Sequence, residues 1–119
     1  MLGRGRGGGG DDVARLLDER LRRMSIGVYS ALNSYALVEA GVPFARLLAR
    51  DPAAAYRVLL RYTGGDRRQA RLLLSRLLVG LVGGVVEVEN AISALEAGDP
   101  RPLAELLGRA AGGGRRRGR

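Results

Sequence analysis

From Val13 to Val38 the apolar side chains return every three or four positions: Val13, Leu16, Leu17, Leu21, Met24, Val28, Leu32, Tyr35 and Val38. That spacing puts them on one side of an α-helix. A half-buried strand would show strict alternation instead. The one short β-like run, Val85-Val86-Glu87-Val88, has no second run to pair with. The chain is therefore predicted to be all-α. A helix over residues 12–40 would be about 40 Å long. Asp11 and Asp12 serve as its cap and Gly41 as its stop. Asp18 with Arg22, and Glu19 with Arg23, stand four apart and can pair on its outer side. Ile26, Tyr29 and Leu37 fall off the stripe, which predicts that the second half is covered on more than one side.

Local punctuation divides the rest. Pro43 suits a first helical turn and opens a short helix to Arg50. Asp51-Pro52 repeats the start signal, and Thr63-Gly64-Gly65 ends the helix 52–62. Asp66 caps the next helix, with Gln69 in the capping-box position. From Leu72 to Val88 apolar residues cover every side, which predicts a buried helix. Gly80, Gly83 and Gly84 each cost about 1 kcal/mol against alanine in a helix interior. They either admit another backbone or break the helix near residues 83–84. The apolar continuity favours one continuous or kinked helix over residues 67–97. Gly98 stops it, and Asp99-Pro100 opens a last helix to about Ala111. The expectation is about five helices, two long ones (12–40 and 67–97) packed with three shorter ones.

At 119 residues the chain makes one small domain. Residues 11–111 form it. Residues 1–10 and 112–119 are glycine and arginine with little to bury, and are predicted to be disordered tails. Cysteine and histidine are absent. Disulfides, thiol nucleophiles, ordinary zinc sites and imidazole acid–base chemistry go with them. Glu87 and Glu89 would diverge on a helix. Gly80-Leu81-Val82-Gly83-Gly84 follows a helix rather than a strand and lacks a P-loop lysine. No catalytic, metal or cofactor-binding residue is expected, and the chain is read as non-enzymatic. The four tyrosines, Tyr29, Tyr35, Tyr56 and Tyr62, fall at core or core-edge helix positions. The N-terminus has no apolar h-region. The longest charge-free apolar run, Leu77 to Val86, has ten residues, where a membrane span needs about 20. A cytoplasmic location without a membrane partner is the expectation. Asn and Gln are scarce (Asn33, Asn90, Gln69), which suits work at high temperature.

All twenty basic residues are arginine. A GC-rich coding sequence accounts for arginine over lysine but not for where the arginines stand. Residues 42–78 hold eight arginines against two aspartates, and residues 79–111 hold two against five carboxylates. Two more arginines lie in residues 1–10 and four in residues 112–119. Basic character thus sits in a central block and two ends, which points to a polyanion. The candidate nucleic-acid-binding residues are Arg57, Arg61, Arg67, Arg68 and Arg71 in the block, and Arg115, Arg116, Arg117 and Arg119 at the C-terminal end. Arg46/Arg50 and Arg57/Arg61 are like-charge i,i+4 pairs. Arg67, Arg68 and Arg71 crowd a helix N-terminus, where the macrodipole disfavours cations. Such costs make sense if the segment holds an anion, with N-terminal N–H groups assisting. The plain alternative is a solvated face, or pairing with Glu87, Glu89, Glu96, Asp99 and Glu105 within the chain or across a dimer.

The expected partners are nucleic acid, DNA or RNA with low specificity, and a second copy of the chain. A helical scaffold or coat-like subunit meeting an acidic protein surface is the alternative. A helix-turn-helix regulator, built from helix 52–62, the Gly64-Gly65 turn and the helix from Arg67, is the third option. Against that option stands the wholly apolar character predicted beyond Leu72.

Overall fold

A computed structural model describes the backbone of residues 4–116 and the side chains of residues 12–111. Among these residues the protein is all-helical, with seven helices: α1 (Arg4–Met24), α2 (Ile26–Ala40), α3 (Phe44–Arg50), α4 (Pro52–Tyr62), α5 (Arg67–Leu78), α6 (Val85–Glu96) and α7 (Arg101–Arg116). The only other regular feature there is a single backbone bridge between Val79 and Gly83. The middle of the chain follows its punctuation. Asp51 accepts the Ala54 N–H at 3.1 Å and starts α4, and Gly41, at φ 76°, ends α2 in the left-handed region.

The number of helices differs from five because both long helices are broken. The first breaks at Ser25, whose extended backbone (φ −169°) leaves its hydroxyl to accept the Val28 N–H at 3.2 Å. A serine that offers the backbone an alternative partner competes with the helix itself. The apolar spacing runs straight across this point and hides it. The second break lies between α5 and α6. The Val79 carbonyl, which a continuing helix would use, accepts Arg20 Nη2 from α1 at 2.8 Å. Gly80 then takes φ 87°, and its N–H turns back to the Gly83 carbonyl at 2.9 Å. Glu87 accepts the Gly84 N–H at 3.2 Å and starts α6 afresh. The glycines therefore serve as a break rather than as a packing surface. Replacing Ser25 with alanine removes the α2 cap and is expected to cost about 1 kcal/mol, or roughly 5 °C in Tm, read by thermal circular dichroism.

Helix α1 also starts earlier than Asp11. Its backbone is helical from Arg4, so Asp12 lies inside it and pairs with Arg15 at 3.0 Å. Helical bonds propagate from a packed segment more easily than they nucleate, and Val13, Ala14 and Leu17 supply that packing. Helix α7 likewise reaches Arg116. The helical backbone thus extends into both Gly/Arg ends, while residues 1–3 and 117–119 lie outside the described residues.

One apolar cluster joins the helices. Helix α1 runs through it against α2, α3, α5 and α7, and α6 packs between α5 and α7. Phe44, the largest fully buried side chain, opens α3, and its N–H is held by Asn33 Oδ1 at 2.9 Å. Two burial expectations fail. Ile26 and Leu37 are 64% and 50% exposed, so the second half of the first helical stretch is not covered on several sides. Leu72, Val85 and Val86 are also exposed, so the stretch from Leu72 is not buried all round. Among the described residues no helix is long and apolar enough to cross a membrane.

Candidate nucleic-acid interface

Three consecutive helices carry the basic block. The core fixes their inner sides through Leu47 and Leu48 of α3, Val58 and Leu59 of α4, and Leu74, Leu77 and Leu78 of α5. Arg46 and Arg50 then stand on the outside of α3, Arg57 and Arg61 on α4, and Arg67, Arg68 and Arg76 on α5, all exposed. Both aspartates of the segment are used as caps. Asp51 serves α4, and Asp66 Oδ1 accepts the N–H groups of Arg68 and Gln69 at 3.0 and 3.1 Å. The second cap changes the expected anion site. The Asp66 carboxylate already occupies the N–H groups that would have met a phosphate at the start of α5. What remains there is a depression of about 410 Å³ bordered by Asp66, Arg68, Gln69 and Leu72. The exposed cations left at the start of α5 are the guanidinium groups of Arg67 and Arg68.

Two of the candidate residues are already paired. Arg61 meets Glu39 of α2 at 2.9 Å, with its own side chain 63% exposed. Arg71 is held far more completely. Its Nε and Nη2 donate to Glu89 Oε1 at 3.0 and 2.8 Å, its Nη1 to Glu96 Oε1 at 2.6 Å, and its Nη2 to Ser93 Oγ at 2.9 Å. Ser75 donates to the other Glu89 oxygen at 3.0 Å, and the Tyr56 hydroxyl donates to Glu96 Oε2 at 2.8 Å. Helices α4, α5 and α6 are thus tied by one polar cluster at the edge of the core. Burial opposes the Arg71 charge, but hydrogen bonding to Glu89 and the attraction of both carboxylates outweigh it and hold the guanidinium above its ordinary value. The Glu89 carboxyl is lowered by the Ser75 and Arg71 hydrogen bonds, against some desolvation. Burial, with the Glu96 bond adding to it, pushes the Tyr56 phenol up to about 12.

Pairing with the later carboxylates, the plain alternative for this block, therefore describes Arg71 alone, and Arg61 pairs instead with Glu39 of α2. It does not describe Arg46, Arg50, Arg57, Arg67, Arg68 or Arg76, which have no carboxylate within ion-pair distance among the described residues. Arg115 and Arg116 end α7, with side chains outside the described set, and Arg117 and Arg119 lie outside the described residues altogether. Of the later carboxylates, Asp99 pairs with Arg101 and Glu87 lies 3.8 Å from Arg109. On α1, Asp18 accepts the Tyr29 hydroxyl at 3.0 Å and Arg22 lies over the Tyr29 ring at 6.0 Å, so the expected Asp18–Arg22 ion pair is not formed. Glu19 and Arg23 form none either among the described residues. Three tyrosines are buried or half-buried, and Tyr35 is the most exposed, edge-on to Tyr62 at 6.3 Å.

The Arg71 cluster had a signal in the sequence. Glu89, Ser93 and Glu96 stand at i, i+4 and i+7, one face of a helix. Such a face can bind a single guanidinium from a neighbouring helix. No family model matches this chain, and neither a curated protein nor a solved structure matches it significantly.

Proposed function

We propose that this chain is a non-enzymatic nucleic-acid-binding protein that holds phosphates with the exposed arginines of α3, α4 and α5. The Gly/Arg ends add counter-charge. One observation carries the reading: six of the eight arginines in residues 42–78 are exposed and lack a carboxylate partner among the described residues. Cations left unpaired at helix surfaces, two of them at the unfavourable end of α5, are suited to an external polyanion.

The test is a fluorescence-anisotropy titration with short duplex DNA, single-stranded DNA and RNA at two salt concentrations. The full chain is compared with residues 11–111. Affinity is expected to fall steeply with salt and to weaken without the ends. If the six arginines of the two ends each neutralise one phosphate, they alone contribute a slope of roughly −5 in log K against log salt on duplex DNA. Absence of binding near physiological salt would end this reading and leave the arginines to an acidic protein surface.

A second reading has one observation in its favour. Helix α5 ends at Leu78 and turns Arg68, Gln69, Leu72 and Arg76 outward, behind the Thr63–Asp66 turn from α4. The expected objection to a helix-turn-helix, a recognition helix buried all round, is therefore removed. That reading requires protection of one defined sequence in a footprinting experiment. The phosphate reading requires similar affinity for unrelated sequences.

A further inference from the structure

A cleft of about 450 Å³ opens where α1, α2 and the start of α3 meet. That volume lies within the roughly 300–1,000 Å³ of small-molecule pockets. Arg15 and Asp18 line it from α1, Tyr29 and Asn33 from α2, and Pro43 and Arg46 from the α3 end. Asp18, Tyr29 and Asn33 are half-buried, and Arg46 is exposed. Through Arg46 the cleft adjoins the unpaired arginines of the basic block.

Two of its groups have hydrogen-bonding capacity that the fold does not use. Asp18 accepts the Tyr29 hydroxyl at 3.0 Å and has no guanidinium within ion-pair distance among the described residues. Two arginines stand within about one turn of it, and both are engaged elsewhere. Arg15 pairs with Asp12 at 3.0 Å, and Arg22 lies over the Tyr29 ring at 6.0 Å. In a chain with twenty arginines, a half-buried carboxylate left without a cation is a cost that the fold had every means to avoid. Asn33 is the complement. Its Oδ1 accepts the Phe44 N–H at 2.9 Å, which fixes the orientation of the amide. The Nδ2 group, with two N–H donors, has no acceptor among the described residues.

A ligand for this cleft brings a donor for Asp18, an acceptor for the Asn33 amide and a flat body for Tyr29 and Pro43. It also brings a negative charge for Arg46. A bare phosphate fails, because it meets the Asp18 carboxylate and offers it no proton. A nucleotide supplies all four, with the base inside and the phosphate on Arg46. Unstacked bases are read in this way, on an aromatic side chain and by the Watson–Crick edge. Guanine fits best of the four. Its N1–H and N2–H stand side by side for one carboxylate, and O6 beside them accepts from an amide. Uracil sets its one N–H between two acceptor oxygens, which the carboxylate repels. We infer that this cleft is a pocket for one unpaired nucleobase, guanine in preference to the others. The inference rests on the phosphate-binding reading and narrows it to nucleic acid with a free Watson–Crick edge.

The test uses the full chain and two labelled single-stranded RNAs of about ten nucleotides, one all uracil and one with a single central guanine. Their phosphate charge is equal, so the difference in affinity reads the base alone. The guanine strand should bind about tenfold tighter. Asp18→Asn retains an oxygen for the Tyr29 hydroxyl but loses the carboxylate. It should abolish the guanine advantage while binding the uracil strand more tightly, because one negative charge is gone. Asn33→Asp keeps the Phe44 bond, replaces the free donor with an oxygen and should abolish the advantage too. Equal binding of the two strands by the parent protein overturns the inference and leaves the phosphate reading standing. An advantage that survives both substitutions overturns it as well. If neither strand binds, the phosphate reading fails, and calorimetric titration with guanosine 5′-monophosphate at roughly millimolar concentration decides the pocket. Binding heat that Asp18→Asn removes supports a site for the free nucleotide, and no binding heat overturns the inference.

Discussion

Replacing Arg57, Arg67 and Arg68 together with alanine should lower affinity for a short DNA duplex by roughly a hundredfold at about 0.15 M salt, with the salt slope shallower by about 3. The size follows from counterion release. Each phosphate contact contributes about 0.9 to the slope, which at that salt is about fivefold in affinity. Three contacts compound to the expected loss. The three side chains are exposed and make no ion pair among the described residues, so no partner is stranded by removing them.

Stability should move the other way. Arg57 repels Arg61 one turn on, and Arg67 and Arg68 oppose the positive end of α5. Alanine also has the higher helix propensity. The triple variant should melt at or slightly above the temperature of the parent protein. Lost binding with retained or raised Tm is what side chains kept for a ligand produce. Unchanged affinity would remove these three residues from the interface. Lost binding together with a lowered Tm would mean that the fold, and not the phosphate contacts, had been damaged. Anisotropy and thermal melting on the same preparations read both.

What the sequence disclosed and what it withheld divide along the range of the interactions. Asp51, Asp66, Gly41 and Gly98 act on backbone groups within a turn of themselves, and the boundaries they mark stand where expected. The break after Val79 depends on a tertiary partner, and the local cap at Ser25 is masked by the apolar spacing around it. Leu21, Met24, Val28 and Leu32 keep helical spacing straight across Ser25. The Val79 carbonyl is drawn out of the helix by Arg20, 59 residues earlier in the chain. The same limit applies to the basic block. Arg68 and Arg71 lie three residues apart on one helix, and both look like phosphate ligands in the sequence. Only the position of α6 separates them, because it sets Glu89, Ser93 and Glu96 against Arg71 and leaves Arg68 in water. The exposed side of α2 was equally hidden, since an apolar helix reads as buried until its neighbours are known.

Arg71→Ala is expected to lower stability by about 2–3 kcal/mol, or roughly 10–20 °C in Tm, the largest effect of any single arginine here. Removing one member of a fully buried ionic cluster costs about 3–5 kcal/mol. Arg71 keeps 29% of its side chain exposed, so the lower value applies. The loss has two parts, which two further variants separate. Arg71→Met retains the apolar stem over α5 and α6, and so isolates the stranded carboxylates from the lost packing. Arg71→Lys retains the charge but not the planar fork that reaches Glu89, Ser93 and Glu96 at once, and should recover less than half of the deficit. Acid adds a third reading. The folded Glu89 carboxyl lies below its ordinary value of 4.5, held there by Ser75 and Arg71 against some desolvation. A lowered folded pKa means stability that is present above the unfolded value and lost as pH falls through the folded one. The parent protein should therefore lose stability as pH falls below about 4.5. Arg71→Ala leaves the Ser75 bond and removes the rest, so its acid limb should be shallower than that of the parent. Urea denaturation at pH 7 and pH 3.5 measures both slopes. Parallel loss in the two proteins would show that Arg71 supports the fold by packing alone. Convergence of the two at low pH is the expected result, because protonating Glu89 and deleting its cation discharge the same interaction from opposite sides.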